Sequence, residues 1–316
     1  MIISRRQLLV GGSAAITALA VRWPAWGASA PVESRVLAAT ASPLDEILGE
    51  SRAIVAFRDS IRTLFDCVAG RQRRPPVLLL GESGAGKELA ANVIHRAGPQ
   101  SSGRFVTVCV PALPESVLEA ELYGYALGAF TTPPEMPGAW ERAHRGTLLL
   151  DEVAVLHAES WPKIARVIET GRVRRLGTTR SEPADVWAIA ASSLPLEASV
   201  GDHRTLRDVV EPLEPVVLTV PPLRDREDDV QLLADHFLAR HCRALGVSAK
   251  TLSQDARIRL GQYRWPGNVR ELSNVMERAA LLTSAERVEL DDSTHWILDL
   301  IARTWAMKGR VPIFAD

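Results

Sequence analysis

The chain is short of cysteine, of aromatic residues and of any net charge. Its three cysteines, Cys67, Cys109 and Cys242, are an odd number without C-x-x-C spacing, so they give neither a disulfide framework nor a cysteine-rich metal site. Thirty-seven lysines and arginines stand against 38 aspartates and glutamates, for a net charge of -1. That balance excludes a globally basic nucleic-acid binder and leaves only local patches open. Aromatic residues make up 5% of the chain, and the eight tryptophans are scattered. Without interleaved basic residues they suggest no base-stacking platform. No internal repeat or low-complexity segment is present. What remains is ordinary globular material: 316 residues, 47% hydrophobic and 24% charged. This is enough for one large α/β domain and a smaller one, each with its own core.

The first thirty residues differ from the rest. Ser4-Arg5-Arg6-Gln7-Leu8-Leu9 precedes an uncharged stretch from Leu8 to Val21, and Ala28-Ser29-Ala30 follows. The pattern is that of a twin-arginine export signal. The apolar stretch is too short, and interrupted at Arg22 and Pro24, for a convincing membrane span. Pro31, directly after the small-residue site, counts against cleavage, and an untidy N-terminal extension is the alternative. Membrane contact, if any, is expected only through residues 1–30, and residues 31–42 read as a linker.

Five short apolar runs read as buried strands: Val77–Leu80, Phe105–Val110, Thr147–Leu150, Val186–Ala191 and Val216–Val220. Helical patterns lie between them, as at Glu88–Ala97 and Trp161–Thr170. This alternation predicts an α/β domain over residues 43–222 with a mainly parallel sheet covered on both faces. After Pro221-Pro222 the chain reads as helices only, a small domain over residues 223–290. Asn268-Val269-Arg270-Glu271 reads there as a capping box. Residues 291–316 read as one amphipathic helix and a tail.

Gly81-Glu82-Ser83-Gly84-Ala85-Gly86-Lys87 fits GxxxxGK and falls between a predicted strand and a predicted helix. Glycines let backbone N–H groups turn inward on a phosphate, while the helix N-terminus and Lys87 add positive charge. Position 88 is Glu88, so the usual hydroxyl ligand for magnesium is missing. A second apolar strand ends in Asp151-Glu152. An aspartate there can hold Mg2+ through water, and the following glutamate can polarise an attacking water.

With these motifs the chain, from about Ile47 to Leu290, resembles the AAA+ domain of sigma-54-dependent transcriptional activators (bacterial enhancer-binding proteins). The resemblance rests on Gly81–Ala90, Ala112–Ser116, Glu121–Gly124, Gly128–Thr131, Gly146–Glu152, Pro221–Arg226 and Trp265–Leu272. It implies an α/β P-loop ATPase with a helical lid, forming an oligomeric ring with ATP between subunits and acting on sigma-54 RNA polymerase. Phe130 and Thr131 would contact sigma-54, and Arg270 would reach the γ-phosphate from the lid. The expected cofactors are ATP and Mg2+, with Asp151 on the metal, and the expected location is cytoplasmic, with export as the alternative.

Several positions depart from the family pattern. Pro133 stands in the sigma-54-contacting loop, where it fixes φ and removes a donor. Cys109 replaces the asparagine that holds the catalytic glutamate in check, and it is a poorer hydrogen-bonding group. Ser193 replaces the first-sensor asparagine and is too short to reach a water unless its loop moves closer. The segment carrying the arginines that cross to a neighbouring subunit aligns with Thr205–Leu213. Those arginines fall on Leu206 and Pro212, and a one-residue slip recovers only Arg207. Nucleotide binding with slow or absent hydrolysis is therefore expected. No receiver domain is expected before the ATPase and no helix-turn-helix after it, so sequence-specific DNA binding by this chain alone is not expected. His236 and His241 diverge by about 140° around their helix and are expected to pack rather than bind metal. Arg71, Arg73 and Arg74 read as a solvated loop. Two further readings stay open: a hydrolysis-deficient modulator within a ring of intact relatives, and an exported protein with a vestigial P-loop.

Overall fold

The computed structural model describes residues 42–71, 73–126, 135–157, 159–198, 205–226 and 229–289. The export-like segment, Phe130, Thr131, Pro133 and the tail from residue 290 lie outside the described residues.

The five apolar runs form β1 Val77–Leu80, β2 Phe105–Cys109, β3 Thr147–Asp151, β4 Trp187–Ser192 and β5 Val216–Thr219. They make one sheet in the order β2-β3-β4-β1-β5, and every pairing in it is parallel. Side chains alternate between two covered faces, which is why the strands read as unbroken apolar runs. Leu78, Leu148 and Leu150 pack with Trp140, Trp161 and Ile164 on one face. Val77, Leu79, Leu149 and Ile189 pack with Ile54, Ile61 and Ile94 on the other.

The covering helices are α1 Arg52–Val68, α2 Lys87–Ala97, α3 Glu115–Tyr123 and α4 Ser160–Thr170. Helix α1 was not among the helical patterns expected from the sequence. Its buried residues Ile54, Phe57, Ile61, Leu64 and Val68 recur three and four apart, and the Ser51 side chain caps its first turn by accepting from the Ile54 N–H.

Beyond Pro222 come α5 Asp229–Leu245, α6 Gln254–Gln262 and α7 Asn268–Leu282. Val230, Leu233, Phe237 and Leu238 of α5 pack on Leu272, Val275 and Met276 of α7, with Trp265 beside them. Two expectations are corrected here. The region is not helices only, because Thr251–Leu252 pairs in parallel with Arg287–Val288. The capping box at Asn268 is half formed. Glu271 does accept from the Gly267 N–H at 2.8 Å, but Asn268 is the first residue of α7 and has φ of +54°. Its side chain turns away from the helix, accepting from the Leu223 N–H at 2.8 Å and donating to Glu82 at 3.0 Å. A buried N–H without a partner would cost more than a missing cap, and that decides the rotamer. No helix among the described residues is long and apolar enough to cross a membrane.

Candidate functional site

Because β1 lies between β4 and β5, the loop leaving it opens at a point where the strand order reverses, the usual ligand crevice of such sheets. Gly81–Lys87 fills that loop. Gly84 has φ of +77°, and a Cβ there would sit 2.3 Å from the Gly267 carbonyl oxygen. Gly86, at φ +110°, is the residue from which α2 starts, so the first-turn N–H groups of that helix face the loop. Lys87 is buried. Its Nζ donates to the Gly81 carbonyl at 2.9 Å, the Glu82 carbonyl at 3.3 Å and the Ser193 hydroxyl at 2.7 Å. It also lies 3.3 Å from Glu152 Oε1.

The acidic pair comes from the end of β3. Asp151 is its last residue, and Glu152 follows with φ of +59°, an uncommon value for a residue with a side chain. Ser193, just past β4, donates its N–H to Glu152 Oε2 at 2.9 Å and its hydroxyl to Oε1 through a short bond. Ser193, expected to reach a water only if its loop moved closer, reaches the glutamate itself in the structure. The two carboxyls are driven apart in acidity. Burial and then the Glu152 charge push the Asp151 carboxyl up. Burial would also raise Glu152, but the two Ser193 hydrogen bonds and Lys87 outweigh it and hold that carboxyl low. Cys109 pairs with Asp151 across the β2–β3 ladder and is exposed.

The helical region closes on the loop from outside. Arg224 forms an ion pair with Glu82 at 2.8 Å. The Arg224 hydrogen bond, against the opposing effect of burial and with help from Asn268, holds the Glu82 carboxyl below its ordinary value. The Arg270 N–H donates to the Gly84 carbonyl, and its guanidinium to the Ser83 hydroxyl, both at 3.2 Å. Arg270 therefore stands at the rim of the phosphate loop.

A cavity of about 380 Å³ adjoins the loop, sharing Ala85 and Gly86 with it and lined by Ile47, Leu48, Phe57 and Leu233 among others. Its back wall is tied by Asp229, the first residue of α5. Asp229 accepts from the Glu50 N–H at 2.6 Å, the Ser51 N–H at 3.0 Å, the Ser51 hydroxyl at 2.7 Å and Arg226 Nε at 3.1 Å. Arg226 in turn donates to the Leu48 carbonyl. Sequence reasoning missed this knot and the cavity. The available signal was the charged run Arg224-Asp225-Arg226 followed by Asp229 at the start of an amphipathic helix. His236 lines the same cavity, whereas His241 bonds Ser273. Among the described residues no cluster of three histidine, cysteine or acidic side chains is placed to hold a metal.

Of the other sequence candidates, Arg207 lies on the single turn Leu206–Val210 and pairs with Glu197 at 2.8 Å, both exposed. Leu206 is fully buried, and Pro212 belongs to the following turn, Glu211–Leu213. The structure brings Gly81–Glu88, Asp151, Glu152 and Arg270 to one edge of the sheet.

A five-stranded parallel sheet in this order, a phosphate-type loop after an interior strand and a helical cap over that loop define an AAA+ P-loop fold. Residues 47–219 match the family model described as Sigma-54 interaction domain, and residues 224–298 match the AAA+ ATPase lid domain. The chain belongs to the sigma-54 interaction domain family. It is 40% identical over 248 residues to the nitric oxide reductase transcription regulator NorR1 of Cupriavidus necator, covering 78% of this chain and 47% of that protein. It is 38% identical over 277 residues to the response regulator protein PilR of Pseudomonas aeruginosa, covering 87% and 58%. The chain spans about half the length of the relatives it matches. Among solved structures it is similar to NtrX from Brucella abortus in complex with ATP, with a TM-score of 0.66 and 31% identity over 79% of this chain and 56% of that one.

Proposed function

We propose that this chain is an ATP-binding AAA+ module that couples nucleotide occupancy to sigma-54 RNA polymerase in the cytoplasm. The observation that carries the reading is the continuity of the apolar cavity with Gly81–Lys87, which puts a nucleoside-sized space beside a phosphate-sized one. Backbone N–H groups of Gly81–Gly86, the start of α2 and Lys87 would bind the phosphates. Asp151 would hold Mg2+, and the chemistry of the site fits that ion: an oxygen-donor carboxyl at the end of β3, next to where phosphate oxygens would arrive. The ion would supply positive charge to the bound phosphates. Glu152 would take the proton of an attacking water, and Arg270 would reach the terminal phosphate from the lid. Phe130 and Thr131 would contact sigma-54.

The activity so assigned is binding with slow hydrolysis. Arg207 is held by Glu197 of its own chain, Leu206 is buried and Pro212 carries no charge. These facts support a second reading, a modulator within a ring of intact relatives, because a crossing arginine is worth orders of magnitude in rate. Titration of the chain with a fluorescent ATP derivative tests the first proposal: saturable binding weakened by about 100-fold in Lys87→Ala is expected, and binding undiminished by that substitution would overturn it. Adding subunits with intact arginines and a disabled P-loop tests the second. Turnover at this chain's own site should rise. Rapid hydrolysis by the unmixed chain, lost in Arg207→Ala, would show instead that Arg207 serves as the crossing arginine. Pull-down of sigma-54 in a transition-state nucleotide analogue tests the contact, which Phe130→Ala with Thr131→Ala should abolish.

A further inference from the structure

We infer that the cavity between α3, α4 and the antiparallel ribbon of Arg172–Arg174 with Ser181–Pro183 binds a small phosphorylated molecule. The cavity is about 470 Å³, within the range of small-molecule sites. It shares no lining residue with Gly81–Lys87 or with the space beside that loop. The inference is independent of the nucleotide reading above and gives the chain a second anion site.

Local sequence gathers the charge. Lys163, Arg166 and Thr170 recur three and four apart along α4, so they share one face of it. Arg172 and Arg174 are alternate residues of a strand with buried Val173 between them, so both stand on the face away from the core. The partner strand brings no carboxylate to that face. Opposite Arg172 and Arg174 it places Pro183 and Ser181, while Glu182 lies opposite Val173 and pairs with Arg180 at 2.8 Å.

Five cations therefore line the cavity, these four and Arg175, against the single carboxylate of Glu119. Two of them are spent within the protein. Lys163 pairs with Glu119, and Arg175 forks onto Glu141 at 2.6 and 2.7 Å and also pairs with Glu135. Arg172 donates to the Ser181 carbonyl at 2.7 Å, which leaves its charge uncompensated. Arg166 and Arg174 have no side-chain partner among the described residues. Like charges set this close repel one another, and an anion between them removes that cost. Guanidiniums offer paired donors that match phosphate oxygens. Neutral donors are also unspent. The Thr178 hydroxyl accepts from the Arg180 N–H at 3.1 Å and keeps its own proton to give, and the buried Tyr123 hydroxyl has no partner among the described residues. Val167 and Leu176 add an apolar wall, which suits a ligand with an organic part. A chain of net charge -1 supplies no general field to gather a nucleic acid, so capture rests on close contacts inside the cavity.

Calorimetric titration with sodium tripolyphosphate tests the assignment. It is done in the Lys87→Ala chain, where the phosphate loop contributes little, at about 0.15 M ionic strength to screen diffuse attraction. Saturable binding of one ion per chain is expected. Arg166→Gln with Arg174→Gln in that background should weaken it by about tenfold or more. Ser181→Glu, which sets a carboxylate opposite Arg174, should weaken it as well. Arg180→Gln removes an exposed arginine that does not line the cavity, and should change it less than about twofold. Absence of saturable binding would overturn the inference, as would binding that neither cavity variant weakens or a loss in Arg180→Gln equal to theirs. A single-stranded oligonucleotide that binds more tightly than tripolyphosphate, with an affinity falling steeply as salt rises, would overturn the small-molecule assignment. Because the titration is made without Lys87, its failure leaves the nucleotide reading untouched, and failure of that reading leaves this result standing.

Discussion

The two halves of the crevice are built on opposite plans. The phosphate half is saturated: Lys87, Glu152, Ser193, Glu82 and Asn268 all bond one another or the loop backbone. The adjoining nucleoside half is a mainly apolar space, and one of the charged residues lining it, Arg226, is tied to Asp229 and through it to Ser51. A base entering the second half meets mostly apolar side chains. A phosphate entering the first must exchange several, and so it is the phosphate that can do conformational work. Binding energy spent on exchange does not appear as affinity.

Breaking the wall of the nucleoside half should have the largest effect. Asp229→Ala leaves the Arg226 guanidinium buried without its carboxylate, both side chains being under 5% exposed. The expected loss is about 3–5 kcal/mol of stability, read by urea denaturation. The pH dependence carries a definite sign. Burial would raise Asp229, but hydrogen bonds from Ser51, Glu50 and Arg226 outweigh it and hold its carboxyl below the ordinary range. Its contribution is therefore full above the ordinary carboxylate pKa of about 3.9, and is lost as pH falls through the folded-state value. The stability gap between the natural chain and Asp229→Asn should be widest near neutrality and narrow progressively in acid. A gap that widens in acid would contradict the assignment.

Next in size is the phosphate half. Lys87→Ala should weaken ATP by about 100-fold, the equivalent of about 2.7 kcal/mol for lost charge-assisted bonds. Adenosine, which engages only the cavity, should bind both proteins alike by calorimetry. Equal losses for ATP and adenosine would mean that the two halves are not separable. The smallest effect is expected at the outer tie. Arg224 and Glu82 are each about two-fifths exposed, so Arg224→Ala should cost only about 0.5 kcal/mol in thermal unfolding.

Much of this was legible in the sequence, and the limits have physical reasons. The five strands are buried on both faces, so their apolar runs stand out, and Gly81–Lys87 and Asp151-Glu152 are contiguous motifs tied to strand ends. Ser193 was legible as a departure from the family but not as a partner of Glu152, because that contact depends on the backbone of Glu152 entering the left-handed region. Asn268 was misread as a cap because its competitor, the Leu223 N–H, lies 45 residues away in the chain. The cavity was invisible for the same reason: Ile47, Ala85 and Leu233 are brought together only by the fold. Local patterns show what a residue can do near its neighbours, and these three sites are made by distant ones.

The attachment of α7 to the phosphate loop has a mechanical consequence. Through Arg270 N–H to the Gly84 carbonyl and Asn268 to the Ser83 carbonyl, its first turn is fastened to the loop backbone. The helix runs 15 residues from that fastening, about 22 Å at 1.5 Å per residue. It is a lever with its short arm on the nucleotide site. A tilt of about 10° at the loop would sweep the far end by about 4 Å over that length. That end carries Leu281 and Leu282, 62% and 55% exposed, so such a tilt at the loop would be delivered at the lid's outer surface as a displacement large enough for a neighbouring protein to feel.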